Sequence, residues 1–150
     1  MFELILVPVT DDVCSPHSVA HAQNLSRLLG SKLTLVHVIC EPGPTRVEAQ
    51  ALLEHLALGS RFVPNLKLID GDEISVAAQI LEVAQVENAD LIVIGTHGRE
   101  GAERLMLGSV AQSVAGSAQI PVQIIPCHER PSDRFLDRWR RSLGKGLLER

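Results

Sequence analysis

No run of about 18 apolar residues occurs in the 150-residue sequence, so no helix is expected to span a bilayer. Basic residues are missing from the N-terminus. Met1-Phe2-Glu3-Leu4-Ile5-Leu6-Val7-Pro8 instead places an acid before a short β-branched run, so no signal peptide is expected and the run reads as a first strand. Cysteine is scarce: Cys14, Cys40 and Cys127 are odd in number and widely spaced. No disulfide framework is expected from them, and a reducing, cytoplasmic location fits. The main body also lacks a basic face. Through Cys127 it holds seven Lys/Arg against fourteen Asp/Glu, a balance of −7, whereas the tail from His128 carries +3. An acidic body argues against a general nucleic-acid binder, because phosphate neutralisation needs clustered cations. No internal repeat, Ser/His/Asp order or carboxylate pair of obvious geometry is present, so no catalytic residue is assigned.

What remains is an apolar content of 45%, enough for one ordinary domain with its own core. Short β-rich runs alternate with longer helical patterns, the signature of βαβ units and a covered parallel sheet. Five strands are expected, at Leu4–Val9, Leu33–Ile39, Leu66–Ile69, Leu91–Ile94 and Val122–Ile125. Two of them, Leu4-Ile5-Leu6-Val7 and Leu91-Ile92-Val93-Ile94, are unbroken apolar runs, as in strands buried on both faces. Ser15-Pro16 reads as a cap and first helical position, opening a helix that ends at Gly30. The small residues Ser18, Ala22 and Ser26 form a stripe along that helix. A second helix is expected over Arg46–Leu58 with Val47, Ala51 and Leu58 on one face. A third runs from an Asp72 cap through Ile74, Ala77, Ala78, Leu81 and Ala84. A fourth starts at Gly108-Ser109 and carries Val110, Val114 and Ala118 up to Pro121. The expected fold is a doubly wound, Rossmann-like five-stranded parallel sheet with helices on both faces over residues 1–126. Residues 127–150 form a linker and an amphipathic C-terminal helix. In such a fold, ligands bind beyond the carboxyl ends of the strands where the strand order reverses.

The chemistry concentrates after the fourth strand, in Gly95-Thr96-His97-Gly98-Arg99-Glu100-Gly101-Ala102-Glu103-Arg104-Leu105-Met106-Leu107-Gly108-Ser109. Gly95 and Gly98 suit a tight turn open to a ligand, and Gly108-Ser109 opens a helix whose N–H groups suit phosphate. Spacing alone leaves a second reading open, in which the glycines only make turns and Ser109 only caps a helix. The loop has neither the Gly-Lys-Ser/Thr ending of a P-loop nor Gly-x-Gly-x-x-Gly. Yet Gly-x-x-Gly, nine residues and then Gly-Ser resembles the ATP-binding pattern of the universal stress protein family. Flanking stretches extend the resemblance: Ile5-Leu6-Val7-Pro8-Val9, Leu35-Val36-His37-Val38, Ala89-Asp90-Leu91-Ile92-Val93-Ile94, Arg104, Ser109-Val110-Ala111 and Ile120-Pro121-Val122.

That resemblance implies ATP held between the first and fourth strands and a homodimer formed through the last strand. By position, Pro8, Val9 and Val38 would line the adenine side. Ile94, Gly95, Gly98, Gly108, Ser109, Val110 and Ala111 would hold ribose and phosphates. Arg99 is a phosphate partner by charge, and His97 lies inside the loop, where contact with phosphate and a turn-forming role are both open. One departure stands out: Thr10 replaces the Asp that nucleotide-binding members carry after strand one, and Asp11 and Asp12 follow it. Either Asp11 substitutes for that Asp, or both acids are solvated and the site is weakened. The implied function is an ATP-binding stress-response or signalling module. The alternatives are a slow ATPase, with Mg²⁺ recruited near Asp11, and a dimeric interaction protein that has lost nucleotide.

Cys14-x-x-His17-x-x-x-His21 has the ligand types of a transition-metal site but no local fourth ligand, so no metal is assigned. His37, within an apolar strand, reads as structural. Between Ser132 and Leu147, Phe135, Leu136, Trp139, Leu143 and Leu147 fall opposite Arg134, Arg138, Arg141 and Lys145. That segregation suits docking on the chain's own acidic domain, a dimer partner, another protein or an anionic membrane surface.

Overall fold

The apolar run near the N-terminus becomes a central strand because it has an apolar layer to fill on each side. In the computed structural model, which describes residues 2–12, 14–71, 76–97 and 108–127, β1 spans Leu4–Pro8. It is followed by α1 (Ser15–Leu29), β2 (Lys32–Ile39), α2 (Arg46–Leu56), β3 (Asn65–Asp70), α3 (Val76–Val86), β4 (Leu91–His97), α4 (Ser109–Ser117) and β5 (Val122–Cys127). The strands form one parallel sheet in the order β3-β2-β1-β4-β5. This is the doubly wound α/β fold. The chain winds outward from β1 to β3 and then restarts on the other side of β1 with β4, so the reversal lies between β1 and β4.

Alternation along the strands separates two cores. Ile5, Val7, Leu33, Leu35, Leu91 and Val93 pack with Val19 and Ala22 of α1 and Leu52, Leu53 and Leu56 of α2. Leu6, Val36, Ile92 and Ile94 pack on the opposite face with Ile80, Val83 and Ala84 of α3 and Ala111 and Val114 of α4. Ile5, Leu6 and Val7 are all fully buried. At roughly 1.5–3 kcal/mol per buried aliphatic side chain, these adjacent residues bind both helix layers to the sheet.

Local signals explain the helices. Ser18, Ala22 and Ser26 are all buried, so the small stripe lets α1 lie close on the sheet. Gly30 ends α1 in the left-handed region at φ 69°, where glycine carries no Cβ penalty. Thr45 and Glu48 form a reciprocal capping box at the start of α2. The expected face of α2 is corrected: Val47 and Leu58 are exposed, and Ala49, Leu52, Leu53 and Leu56 point inward. Leucines spaced three and four residues apart bury more surface than the stripe of Val47, Ala51 and Leu58, and α2 stops at Leu56, before Leu58. On α3, Ala78 is exposed while Ile80, Val83 and Ala84 are buried. The Asp72 cap, Ile74 and the C-terminal amphipathic helix lie outside the described residues.

β1 is in register with β2 over five residue pairs but with β4 over only two, Ile5 with Leu91 and Leu6 with Ile92. Below these pairs, Asp90 Oδ2 accepts from the N–H groups of Glu3 at 2.8 Å and Leu4 at 3.0 Å, and Asp90 N–H donates to the Leu4 carbonyl at 2.9 Å. β1 and β4 are thus fastened at their amino ends and unpaired toward their carboxyl ends.

Candidate functional site

The unpaired carboxyl ends of β1 and β4 open a cleft of about 230 Å³. Its floor and one side are aliphatic, from Val9, Val36, Val38, Val76, Ile80 and Ile94. Val9 is held twice: its N–H donates to the Val36 carbonyl at 2.8 Å, and its carbonyl accepts from His37 Nδ1 at 2.8 Å. Only a ring nitrogen that carries hydrogen can donate to a carbonyl, so buried His37 has a hydrogen on Nδ1. His37 thus has the structural role its strand position suggests.

The loop from β1 to α1 supplies a polar wall. Asp12 Oδ1 accepts from the N–H groups of Cys14 at 2.9 Å and Ser15 at 3.0 Å, and Ser15 Oγ accepts from Thr10 N–H at 2.7 Å. Capping of α1 is therefore corrected. Cys14 occupies the cap position without a side-chain bond, and the acceptor for the first turn comes from Asp12. Asp12 is not a free solvated acid.

The third side comes from β4 and α4. Gly95 sits inside β4, paired with Ile125, and a Cβ there would lie 3.3 Å from both Cβ and the carbonyl oxygen of Cys14. Glycine at this position serves the close approach of α1 to the sheet, which corrects its expected role as a turn former. Buried Thr96 accepts at Oγ1 from Gly108 N–H at 2.9 Å, fixing the chain as it returns to α4. Gly108 caps α4 with no side-chain hydrogen bond. An α-helix supplies no acceptor of its own to its first-turn N–H groups, so those of Ser109, Val110 and Ala111, which line the cleft, give it the positive end of the helix dipole. The site combines an aliphatic slot, a backbone anion cradle and one carboxylate.

Of the residues singled out in the sequence, Pro8, Val9, Thr10, Val38, Ile94, Gly95, Gly108, Ser109, Val110 and Ala111 meet at this cleft. Asp11 is not on its wall; Asp12 is. His97 ends β4, and Gly98 and Arg99 lie outside the described residues. Sequence reasoning missed Asp12, Cys14, Ser15 and Thr96 as parts of the wall. Only Asp12 offered a readable signal, an acid three residues before Ser15 at a helix start.

The cysteine expectation is also corrected: Cys14 is disulfide-bonded. An odd, scattered set can still contain one bridge, since spacing does not reveal which positions the sheet brings together. His21 of the Cys-His-His spacing meets Gln123 Oε1 on β5 through Nε2 at 3.0 Å. Among the described residues, no group of three His, Cys, Asp or Glu side chains is placed to hold a metal. No helix of the described residues is long and apolar enough to cross a membrane.

Comparison with known proteins adds a family. The profile of the Universal stress protein family matches residues 45–126. A universal stress protein of Thermus aquaticus is 30% identical over 140 residues, covering 83% of this chain and 99% of that protein. One from Mycolicibacterium smegmatis is 30% identical over 132 residues, 81% of this chain and 45% of that one. One from Methanocaldococcus jannaschii is 49% identical over 49 residues, 33% of this chain and 29% of that one. The chain therefore spans less than half the length of these last two curated relatives. Among solved structures, a universal stress protein from Archaeoglobus fulgidus superposes with a TM-score of 0.67 at 26% identity, covering 83% of this chain and 99% of that one. A universal stress protein from Archaeoglobus fulgidus in complex with dAMP gives 0.63 at 24% identity, covering 83% and 99% of the two chains. A universal stress protein in complex with cAMP gives 0.66 at 18% identity, covering 85% and 98%.

Proposed function

The chain belongs to the universal stress protein family, and from that premise we propose that it binds ATP in the β1–β4 cleft and serves as a nucleotide-dependent stress-response or signalling module. The observation that carries this reading is the first turn of α4. Its N–H groups, with no side-chain cap among the described residues, border a slot walled by aliphatic side chains of the kind that suit a purine ring. Two structures of the same fold are complexes with dAMP and cAMP, which supports an adenine nucleotide as the ligand.

In this reading Pro8, Val9 and Val38 flank the base, and Ile94 and Gly95 flank the ribose. Gly108, Ser109, Val110 and Ala111 hold phosphate, with His97 at the end of β4 and Gly98 and Arg99 after it contributing. Asp12, the carboxylate on the cleft wall, takes the position near ribose or Mg²⁺ that the sequence pattern suggested for Asp11. The protein acts in the cytoplasm as a homodimer paired through β5. Residues 127–150 are an appended docking element.

A hydrogen bond from a neutral donor to a charged phosphate contributes roughly 1.5–3 kcal/mol, so Ser109→Ala weakens ATP binding about tenfold or more. Titration calorimetry of this variant measures the effect; unchanged affinity would place the phosphate elsewhere. The second reading, an interaction protein without nucleotide, is favoured by Thr10, whose exposed side chain offers a hydroxyl where nucleotide-binding members carry a carboxylate. Native mass spectrometry separates the two: co-purifying ATP supports the first reading, and a bare protein that takes up no added ATP supports the second.

A further inference from the structure

We propose that His37 is a positioning residue for the base: by drawing the Val9 carbonyl out of the sheet it ends the β1–β2 ladder early and leaves the backbone edge of Val38 to read a 6-amino purine. The strand geometry stands on the fold alone; the reading of the base rests on the proposed nucleotide role of the cleft.

Alternation along β2 decides which backbone groups face which neighbour. In a parallel ladder one residue turns both its N–H and its carbonyl to one neighbouring strand, and the next residue turns them to the other. Val36 is turned toward β1, since its carbonyl accepts from Val9 N–H at 2.8 Å, and Ile39 toward β3, since its carbonyl accepts from Gly71 N–H at 3.0 Å. Val38 is therefore turned toward the β1 side. There the registered pairs stop at Pro8 with Val36. One more step of the ladder would carry Val38 N–H to the Val9 carbonyl, but that carbonyl accepts from His37 Nδ1 at 2.8 Å. A side chain leaves its strand roughly perpendicular to the sheet, so a carbonyl that meets the His37 ring is turned out of the sheet plane and away from Val38. Among the described residues, no backbone hydrogen bond joins Val38 to Val9.

His37 commits its hydrogen bonding to this one contact. The residue is 4% exposed, and its Nε2 has no hydrogen-bond partner among the described residues. An unpaired buried polar atom is unfavourable, and an aliphatic side chain would fill the same space without one. What histidine supplies here is the hold on Val9. Val38, half-buried, lines the cleft together with Val9 and Ile94. Its N–H donor and carbonyl acceptor form the edge that a base in the slot meets. Adenine carries the converse pair, a ring-nitrogen acceptor beside the 6-amino donor. Guanine carries an N–H donor beside a 6-oxo acceptor and meets Val38 like to like.

Amide hydrogen exchange of the full chain without nucleotide tests the strand geometry. Val38 N–H is expected to exchange at least about tenfold faster than Val36 N–H, which belongs to the β1–β2 ladder; equal protection of the two overturns the early end of the ladder. In His37→Leu the released Val9 carbonyl takes the Val38 N–H and slows its exchange. His37→Asn, whose side-chain amide donates from the same branch point as Nδ1, keeps the parent's rate. Calorimetry tests the base. The parent is expected to bind ATP about tenfold or more tightly than GTP, with the preference lost in His37→Leu and kept in His37→Asn. A preference that survives in His37→Leu, or equal affinities of the parent for ATP and GTP, overturns the role of His37 in reading the base while the cleft remains a nucleotide site. If the parent binds neither nucleotide, the nucleotide reading fails and the reading of the base with it, and the strand geometry is judged by the exchange of Val38.

Discussion

Asp12→Ala removes the only side-chain oxygen that the β1–α1 loop offers to the first turn of α1 among the described contacts. Two N–H groups lose their acceptor, those of Cys14 at 2.9 Å and Ser15 at 3.0 Å, together with a longer contact to Ser15 Oγ at 3.4 Å. Losing a helix-capping side chain costs about 0.5–2 kcal/mol, typically near 1. Here both residues are buried, Cys14 at 2% and Ser15 at 4% exposure, so water does not readily replace the acceptor. A buried donor left unpaired costs about 1–3 kcal/mol, which moves the expectation to the upper part of the capping range, about 2 kcal/mol. For a chain of this size that corresponds to a fall in Tm of roughly 4–8 °C. Thermal unfolding followed by far-UV circular dichroism reads it directly. Asp12→Asn keeps an acceptor and should recover at least half of the loss. ATP affinity should fall more for Asp12→Ala than for Asp11→Ala, because only Asp12 is on the cleft wall. A Tm unchanged in Asp12→Ala would refute the capping argument, and an equal loss of affinity in both variants would refute the assignment of the wall.

Gly95→Val sets branched carbons against Cys14, where a single Cβ already comes to 3.3 Å, so it should destabilise by about 1–3 kcal/mol; an unchanged urea midpoint would show that α1 yields freely. Ile124→Pro tests the dimer. Ile92 N–H donates to the Pro121 carbonyl, so alternation turns the backbone groups of Gln123 toward β4 and those of Ile124 toward the open edge. The substitution should give a monomer in sedimentation while leaving the β4–β5 ladder intact, and a parent that is itself monomeric at micromolar concentration would refute pairing through β5. Trp139, the one tryptophan, reports on the C-terminal segment. Docking on the chain's own domain or dimer gives blue-shifted emission unaffected by anionic vesicles, whereas a blue shift that appears only with vesicles overturns self-docking.

The strands were legible because Leu4–Val7 and Leu91–Ile94 have no polar residue to turn toward water, so only a doubly covered position suits them. The stripe of Ser18, Ala22 and Ser26 was legible for a related reason, since small residues at helical spacing matter only where backbones approach. α2 was misread because Val47, Ala51 and Leu58 form an apolar series as regular as the leucines that actually face inward. Tertiary competition for area decides between such series, and periodicity does not register it. Thr45 and Glu48 carry a capping box consistent with the expected helix start at Arg46, which the structure has. The cleft was legible along one strand and one helix turn, through Val9, Gly95 and Gly108-Ser109. Its cross-connections were not. The bond from Gly108 to Thr96 and the nearness of Cys14 to Gly95 join positions 12 or more residues apart, and no local pattern records them.

The short ladder between β1 and β4 gives the sheet a mechanical character. One block consists of β1, β2 and β3; the other, of β4 and β5, is held together by six registered pairs. The backbone ties between the blocks, two registered pairs and the Asp90 clamp, are all at the amino ends, whereas toward the carboxyl ends the blocks meet through side chains, with Val7 and Val93 sharing one core and Cys14 set against Gly95. A packed side chain can shift where a hydrogen-bonded ladder cannot, so the carboxyl ends of β1 and β4 are the part of the sheet best able to adjust to what fills the cleft.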